Sequence, residues 1–213
     1  DVEKDFAFIS NVVMVPLLVV AHPSVTERTI QELAASAKAR PGQIDMASAG
    51  PATSQHMAAE LLMLRAGIRF NIVHYRGSGP AIADVMAGNV KLMTDSVASA
   101  LPHIQSGRVR PIAVAGAERD PTLPDVPTVA EQGFPGFAAS TWFGLFAPAR
   151  QSSDALARLA AEVPRAMADP ELKARLATLS LTDPGLAGQA AADFVRREAQ
   201  IWAEVVKTSG ATA

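Results

Sequence analysis

The chain contains no cysteine. That excludes disulfides, zinc–thiolate sites and thiol nucleophiles; it leaves the compartment open, because oxidising compartments also hold cysteine-free proteins. An excess of one charge is lacking too: 19 Lys and Arg face 21 Asp and Glu, a net charge of −2. The basic residues form no stripe and no aromatics are interleaved with them, so there is no electrostatic footprint for a nucleic-acid partner. Long hydrophobic runs are also missing. Val12 to Ala21 contains Pro16 and falls short of the ~20 residues that cross a bilayer, so no membrane-inserted segment is expected. The sequence has no GxGxxG, no GxxxxGK[ST] and no GxSxG pattern, which removes the common nucleotide and hydrolase fingerprints. His22, His56, His74 and His103 show no metal-ligand spacing, so neither a metal nor a cofactor is expected. The chain starts at Asp1 without a signal peptide, and the expectation is that an N-terminal segment has been removed or is missing.

What is present is an alternation of strands and helices, in a 213-residue chain that is 49% hydrophobic. That length suits one large or two small domains. Residues 1–5 are charged and read as loop, and Phe6 to Val20 as a strand that becomes continuously apolar. Thr29 and Glu32 open a helix to Ala39 with a capping-box pattern. The spacing then predicts strands over 44–48, 71–75, 90–94 and 110–115, with helices over 54–66, 81–87 and 97–106 between them. Such alternation implies a parallel or mostly parallel sheet covered by helices. Prolines 121, 124, 127 and 135 punctuate a loop with one short helix at 129–132, and an aromatic strand follows over 140–146. Helices over 153–168, 170–178 and 189–208 complete the chain, the last with a stripe of Phe194, Ile201, Trp202 and Val205 expected to be core. The expected organisation is a complete α/β lobe over 20–141, and a partial lobe from 1–19 and 142–213 whose helices lack part of their sheet.

The stretch that organises the chain is Asp45 to Glu60. A short strand feeds a helix through a small, hydroxyl-rich turn at Ser48, Ala49, Gly50, Thr53 and Ser54. Free backbone N–H groups at the positive end of a helix dipole make an anion site. The same residues equally suit plain N-capping. His56 and Glu60 stand at i, i+4, the spacing of a surface pair, although His56 in the first helical turn also suits a cleft. Asp95, at the carboxyl end of a strand, stands where open α/β sheets bind ligands, or caps the next helix. A lone carboxylate is thin support for acid–base catalysis. Ser78 lies in a second glycine-rich turn, Arg76 to Pro80, that fits no nucleotide fingerprint.

Several motifs coincide with one family. Ala47-Ser-Ala-Gly50 with Ser54 and His56, Tyr75 to Ala81, Ser99 to Ile104, Leu123 to Glu131 and Trp142 to Pro148 resemble the Bug-type extracytoplasmic receptors of tripartite tricarboxylate transporters. The resemblance spans the whole chain. It implies an α/β periplasmic-binding-protein fold of Venus-flytrap type, with two lobes, mixed and mostly parallel sheets, and a periplasmic location. It implies capture of a small carboxylate, a di- or tricarboxylate, amino acid or aromatic acid, for membrane transporter subunits, without chemistry or cofactor. Ser48, Ala49, Gly50, Thr53 and Ser54, with His56 close by, match one jaw of the family's pincer. Asp95 matches an acidic position facing the cleft. The opposing jaw lies in family sequence preceding the position of Asp1, so the N-terminal part of one lobe is expected to be absent. Weak or no capture of free carboxylate is expected if the protein is truly this short; the alternative is that the missing segment exists and the full receptor binds normally. Rival readings are a signalling module of the same fold, or an enzyme with Asp95 or His56 as base.

Overall fold

A computed structural model describes residues 2–211; Asp1, part of the expected loop, and Thr212 and Ala213, part of the expected partial lobe, lie outside the described residues. The elements run α1 (Val2–Asp5), β1 (Phe6–Ala21), α2 (Ile30–Ala39), β2 (Asp45–Ser48), α3 (Ser54–Ala66), β3 (Asn71–His74), α4 (Ser78–Ala87), β4 (Leu92–Ser96), α5 (Val97–Gln105), β5 (Arg110–Val114), β6 (Ser140–Pro148), α6 (Ser153–Met167), α7 (Pro170–Thr178) and α8 (Gly188–Ser209). They divide into two compact units, Pro16–Thr141 with Glu204–Ala213, and Asp1–Val15 with Trp142–Ala203.

The first unit is an α/β layer with strands in the order β3-β2-β4-β1-β5. β2 runs parallel to β3 and β4, whereas β1 is antiparallel to both β4 and β5. The sheet is therefore mixed, and its parallel part is confined to β3-β2-β4, less than the alternation implied. The cause is β1, which precedes the alternating run and inserts Leu17–Ala21 between β4 and β5. Residues 17–21 are buried on both faces, hence the continuous apolar run in place of alternation. On one face Leu18, Val20 and Met93 pack against Ala81, Ile82 and Val85 of α4 and Val97 and Ala100 of α5. Side chains alternate along a strand, so Asp95, two residues after Met93, points to this same face.

Local chemistry explains where elements begin and where they depart from expectation. Thr29 Oγ1 accepts the Glu32 N–H at 3.1 Å, but Glu32 Oε2 accepts from Arg28, at 2.6 Å, so the reciprocal bond closes one residue early. α4 starts at Ser78 instead of Ala81, because Pro80 falls in the first turn, where a missing N–H costs nothing. β4 runs from Leu92 through Ser96, so Asp95 lies within the strand and not after it. Residues 129–132 form turns, not a helix. Thr128 and Glu131 exchange capping bonds there (2.7 and 3.0 Å), but Gly133 and Pro135 stop the chain before a second turn. Residues 2–5, expected as loop, form the single turn α1, too short to show a periodicity.

In the second unit β6 pairs with β1, and aromatic rings fill the strand face. Phe8 lies 4.6 Å from Phe146 and 6.0 Å from Trp142, and Trp142 meets Phe194 of α8 edge-on at 5.5 Å. Gly144 makes this possible, since a Cβ there would overlap the Phe8 ring. The α8 stripe is less buried than expected: Ile201 is 42% exposed, and half-buried Trp202 uses its Nε1–H to bond Glu198 at 3.0 Å.

Candidate functional site

Strands that run parallel end at the same edge of their sheet, so the helices that follow them start at that edge. β2, β3 and β4 thereby bring the N-termini of α3, α4 and α5 together. Each helix leaves its first N–H groups without an intrahelical partner and presents the positive end of its dipole. Thr53 caps α3 by accepting the His56 N–H at 3.3 Å, and Ser96 caps α5 by accepting the Ser99 N–H at 3.2 Å. α4 is capped by Gly77, which has no side chain to offer, so its first N–H groups have no side-chain cap.

The turn between β2 and α3 is held from within. The buried Ser48 hydroxyl lies 3.1 Å from the Gly50 carbonyl and 3.2 Å from its N–H. That carbonyl also accepts the Thr53 hydroxyl at 2.8 Å. Gly50 has φ +142°, and a Cβ there would stand 3.3 Å from the Tyr75 carbonyl, so only glycine fits without strain. The neighbouring turn is stitched on: the Tyr75 N–H donates to Ser48 (3.0 Å) and the Gly77 N–H to Ala49 (2.9 Å). Ala52 takes the left-handed φ of +54°, disfavoured for a residue with a Cβ.

His56 is not the surface residue its spacing with Glu60 suggested; it is 4% exposed. Its Nδ1 accepts the Ala52 N–H at 3.1 Å and its Nε2 lies 3.3 Å from Glu60 Oε1. His74 meets it edge-on with ring centroids 4.6 Å apart. Burial pushes the His56 pKa down and the Glu60 pKa up.

Asp95 is fully buried. Its Oδ1 accepts the Ser78 hydroxyl and the Ser96 N–H, both at 2.8 Å, while Oδ2 has no hydrogen-bond partner among the described residues. Desolvation raises its pKa, against the pull of these bonds. Ser78 ties the site together, since Gln55 Nε2 of α3 also reaches it, at a long 3.5 Å.

The structure thus brings Ser48, Ala49, Gly50, Thr53, Ser54 and His56 into one turn and links Asp95 to it through Ser78. The hydroxyls of Ser48 and Thr53 are spent on the turn itself. Gln55 was missed by sequence reasoning, and Ser78, noted there only within a glycine-rich turn, was not joined to the site, because their link joins two helices and leaves no spacing to read. No group of three or more His, Asp or Glu suited to a metal is found among the described residues.

The chain has the periplasmic-binding-protein fold: solved structures of a periplasmic binding protein and of a solute-binding protein match across 97% and 98% of it. More narrowly, the chain belongs to the tripartite tricarboxylate transporter family receptors, whose family model matches residues 1–211. It is 33% identical over 208 residues to protein BugT of Bordetella pertussis, covering 98% of this chain and 64% of that protein. An R. palustris protein solved with adipate is 28% identical, with a TM-score of 0.82, covering all of this chain and 71% of that one. MatC from Rhodopseudomonas palustris, solved with bound malate, is 30% identical with a TM-score of 0.80, covering 94% of this chain and 69% of that one. The chain spans 61% and 64% of the length of two curated relatives that it matches.

Proposed function

We propose that the protein is a periplasmic solute receptor that captures a small carboxylate and delivers it unchanged to the membrane subunits of a tripartite tricarboxylate-type transporter. The observation that carries this reading is the convergence of the α3, α4 and α5 N-termini at one sheet edge, a donor-rich surface matched to a carboxylate. The first-turn amides of α3 and α4 and the Ser54 hydroxyl contact the ligand; Ser48, Ala49, Gly50 and Thr53 shape the turn that presents them. Asp95 acts from behind by fixing Ser78. His56 acts on the turn and not on the ligand, because both of its ring nitrogens are engaged. The adipate and malate in the two solved relatives support a dicarboxylate as the ligand class.

Isothermal titration of the full chain with adipate, malate, succinate and citrate tests the reading. Saturable binding with ligand recovered intact supports it. A ligand converted to product sinks it, as does heat from none of the four in a receptor that carries both jaws.

A further inference from the structure

We infer that His56 is a positioning residue that latches the binding turn through the Ala52 amide, and that acid opens the latch and releases the ligand. The inference rests on the carboxylate-receptor reading for its consequence, but its geometry stands alone. Ala52 sits between Gly50 and Thr53 in a left-handed conformation that a residue with a Cβ does not choose unaided. What holds its N–H is the lone pair on His56 Nδ1, 3.1 Å away. That bond fixes the tautomer: Nδ1 accepts, so the proton is on Nε2, directed at Glu60 Oε1, 3.3 Å away.

The only place an incoming proton can bind is the same Nδ1 lone pair. Protonation therefore converts the acceptor into a second donor facing the Ala52 N–H, and two donors repel. The ring is buried on the α3 side, so it cannot turn away into water without moving the turn. Glu60 on the same helix favours the charged ring, whereas His74 of β3, edge-on at 4.6 Å, opposes it. Arg69, before β3, acts on Glu60. The cleft beside Glu60 is lined by Arg69 and by Thr208 and Ser209 of α8. Burial keeps His56 neutral, so the latch is closed at neutral pH and fails on acidification. The released residue lies two positions before Ser54, the first residue of α3, so loosening it disperses the donors that grip the ligand.

Two substitutions separate latch from filler. In His56→Asn the side-chain oxygen stands where Nδ1 stood and cannot be protonated in this range. In His56→Gln the polar group moves to the Nε2 position, toward Glu60, and no acceptor is left for Ala52. The measurement is the protection of the Ala52 amide against hydrogen exchange in the ligand-free full chain, at pH 7.5 and 5.0, paired with titration of malate and adipate at both values. We expect wild-type protection and affinity each to fall about tenfold or more over this range, since a linked proton weakens an equilibrium up to tenfold per pH unit. His56→Asn holds both nearly constant, and His56→Gln lacks the protection at either pH. Ala52 protection that is unchanged with pH in the wild type, or equal pH slopes in the wild type and His56→Asn, overturns the latch. If protection falls with acid while neither probe binds at any pH, the latch stands and the receptor reading fails.

Discussion

The two units both contain hydroxyl- or carboxylate-capped helices, yet only one gathers them. In the second unit Ser152 caps α6, accepting the Ala155 N–H at 3.3 Å, and Asp169 caps α7, accepting from Leu172 at 2.9 Å. Both caps are exposed, and each serves its own helix. In the first unit the caps of α3, α4 and α5 follow three parallel strands and so share an edge, linked by Ser78 to a buried carboxylate. Side-chain oxygens cap helices in both units, with Gly77 of α4 the exception; what differs is strand direction. A cap motif becomes a candidate site only where parallel pairing places several of them side by side.

That contrast can be broken by substitution, and the largest effect is expected at Gly50. Gly50→Val forces a β-branched residue to φ +142° against the Tyr75 carbonyl and costs about 3 kcal/mol in the turn. Titration should show carboxylate binding lost. Retained affinity would mean that the turn is not the grip.

Next comes Ser78→Ala, which removes a hydrogen bond to a buried carboxylate, worth about 2 kcal/mol when that carboxylate is ionised. The sign follows from Asp95, whose folded pKa lies above its unfolded value of 3.8. The folded state then binds protons more tightly, so this contribution is present at low pH and is lost as pH rises through the folded pKa. The Ser78 hydroxyl opposes the rise, and removing it raises the pKa further. Thermal denaturation should show a larger drop for Ser78→Ala at pH 8 than at pH 4; equal drops would contradict the role given to Asp95.

The smallest and sharpest pair is Thr53→Ala against Ser152→Ala. Each removes a cap worth about 1 kcal/mol of stability. Only Thr53→Ala should also weaken carboxylate binding, by a few-fold in titration, because only its helix takes part in the shared edge. Equal affinity in both variants would erase the distinction between the units.

Much of this was legible in the residues. The period of the apolar positions gave α3 and α7 their full extents, and Thr53 and Gly50 announced the turn before α3. Asp95 was readable as a strand-end carboxylate, although not as buried. The remainder depends on contacts across elements. That β1 would enter between β4 and β5 is decided by pairing, not by its own apolar run. Nothing in the spacing of His56 and Glu60 told that α3 would be buried along much of its circumference, turning a surface pair into an interior one. Ser78 was visible as part of a glycine-rich turn, but its bond to Asp95 emerged only once α4 began three residues earlier than its apolar period suggested.

The central claim is that the β2–α3 edge, and not the α6 or α7 caps, receives the carboxylate. The most direct test is an amide-resolved NMR titration of the full chain with malate. The account predicts that the amides of Ala49, Ser54, Gln55, Ser78 and Gly79 shift first and saturate together, while those of Ala155 and Leu172 stay in place. Shifts confined to α6 and α7, or a saturable ligand that leaves the β2–α3 amides unmoved, would contradict it.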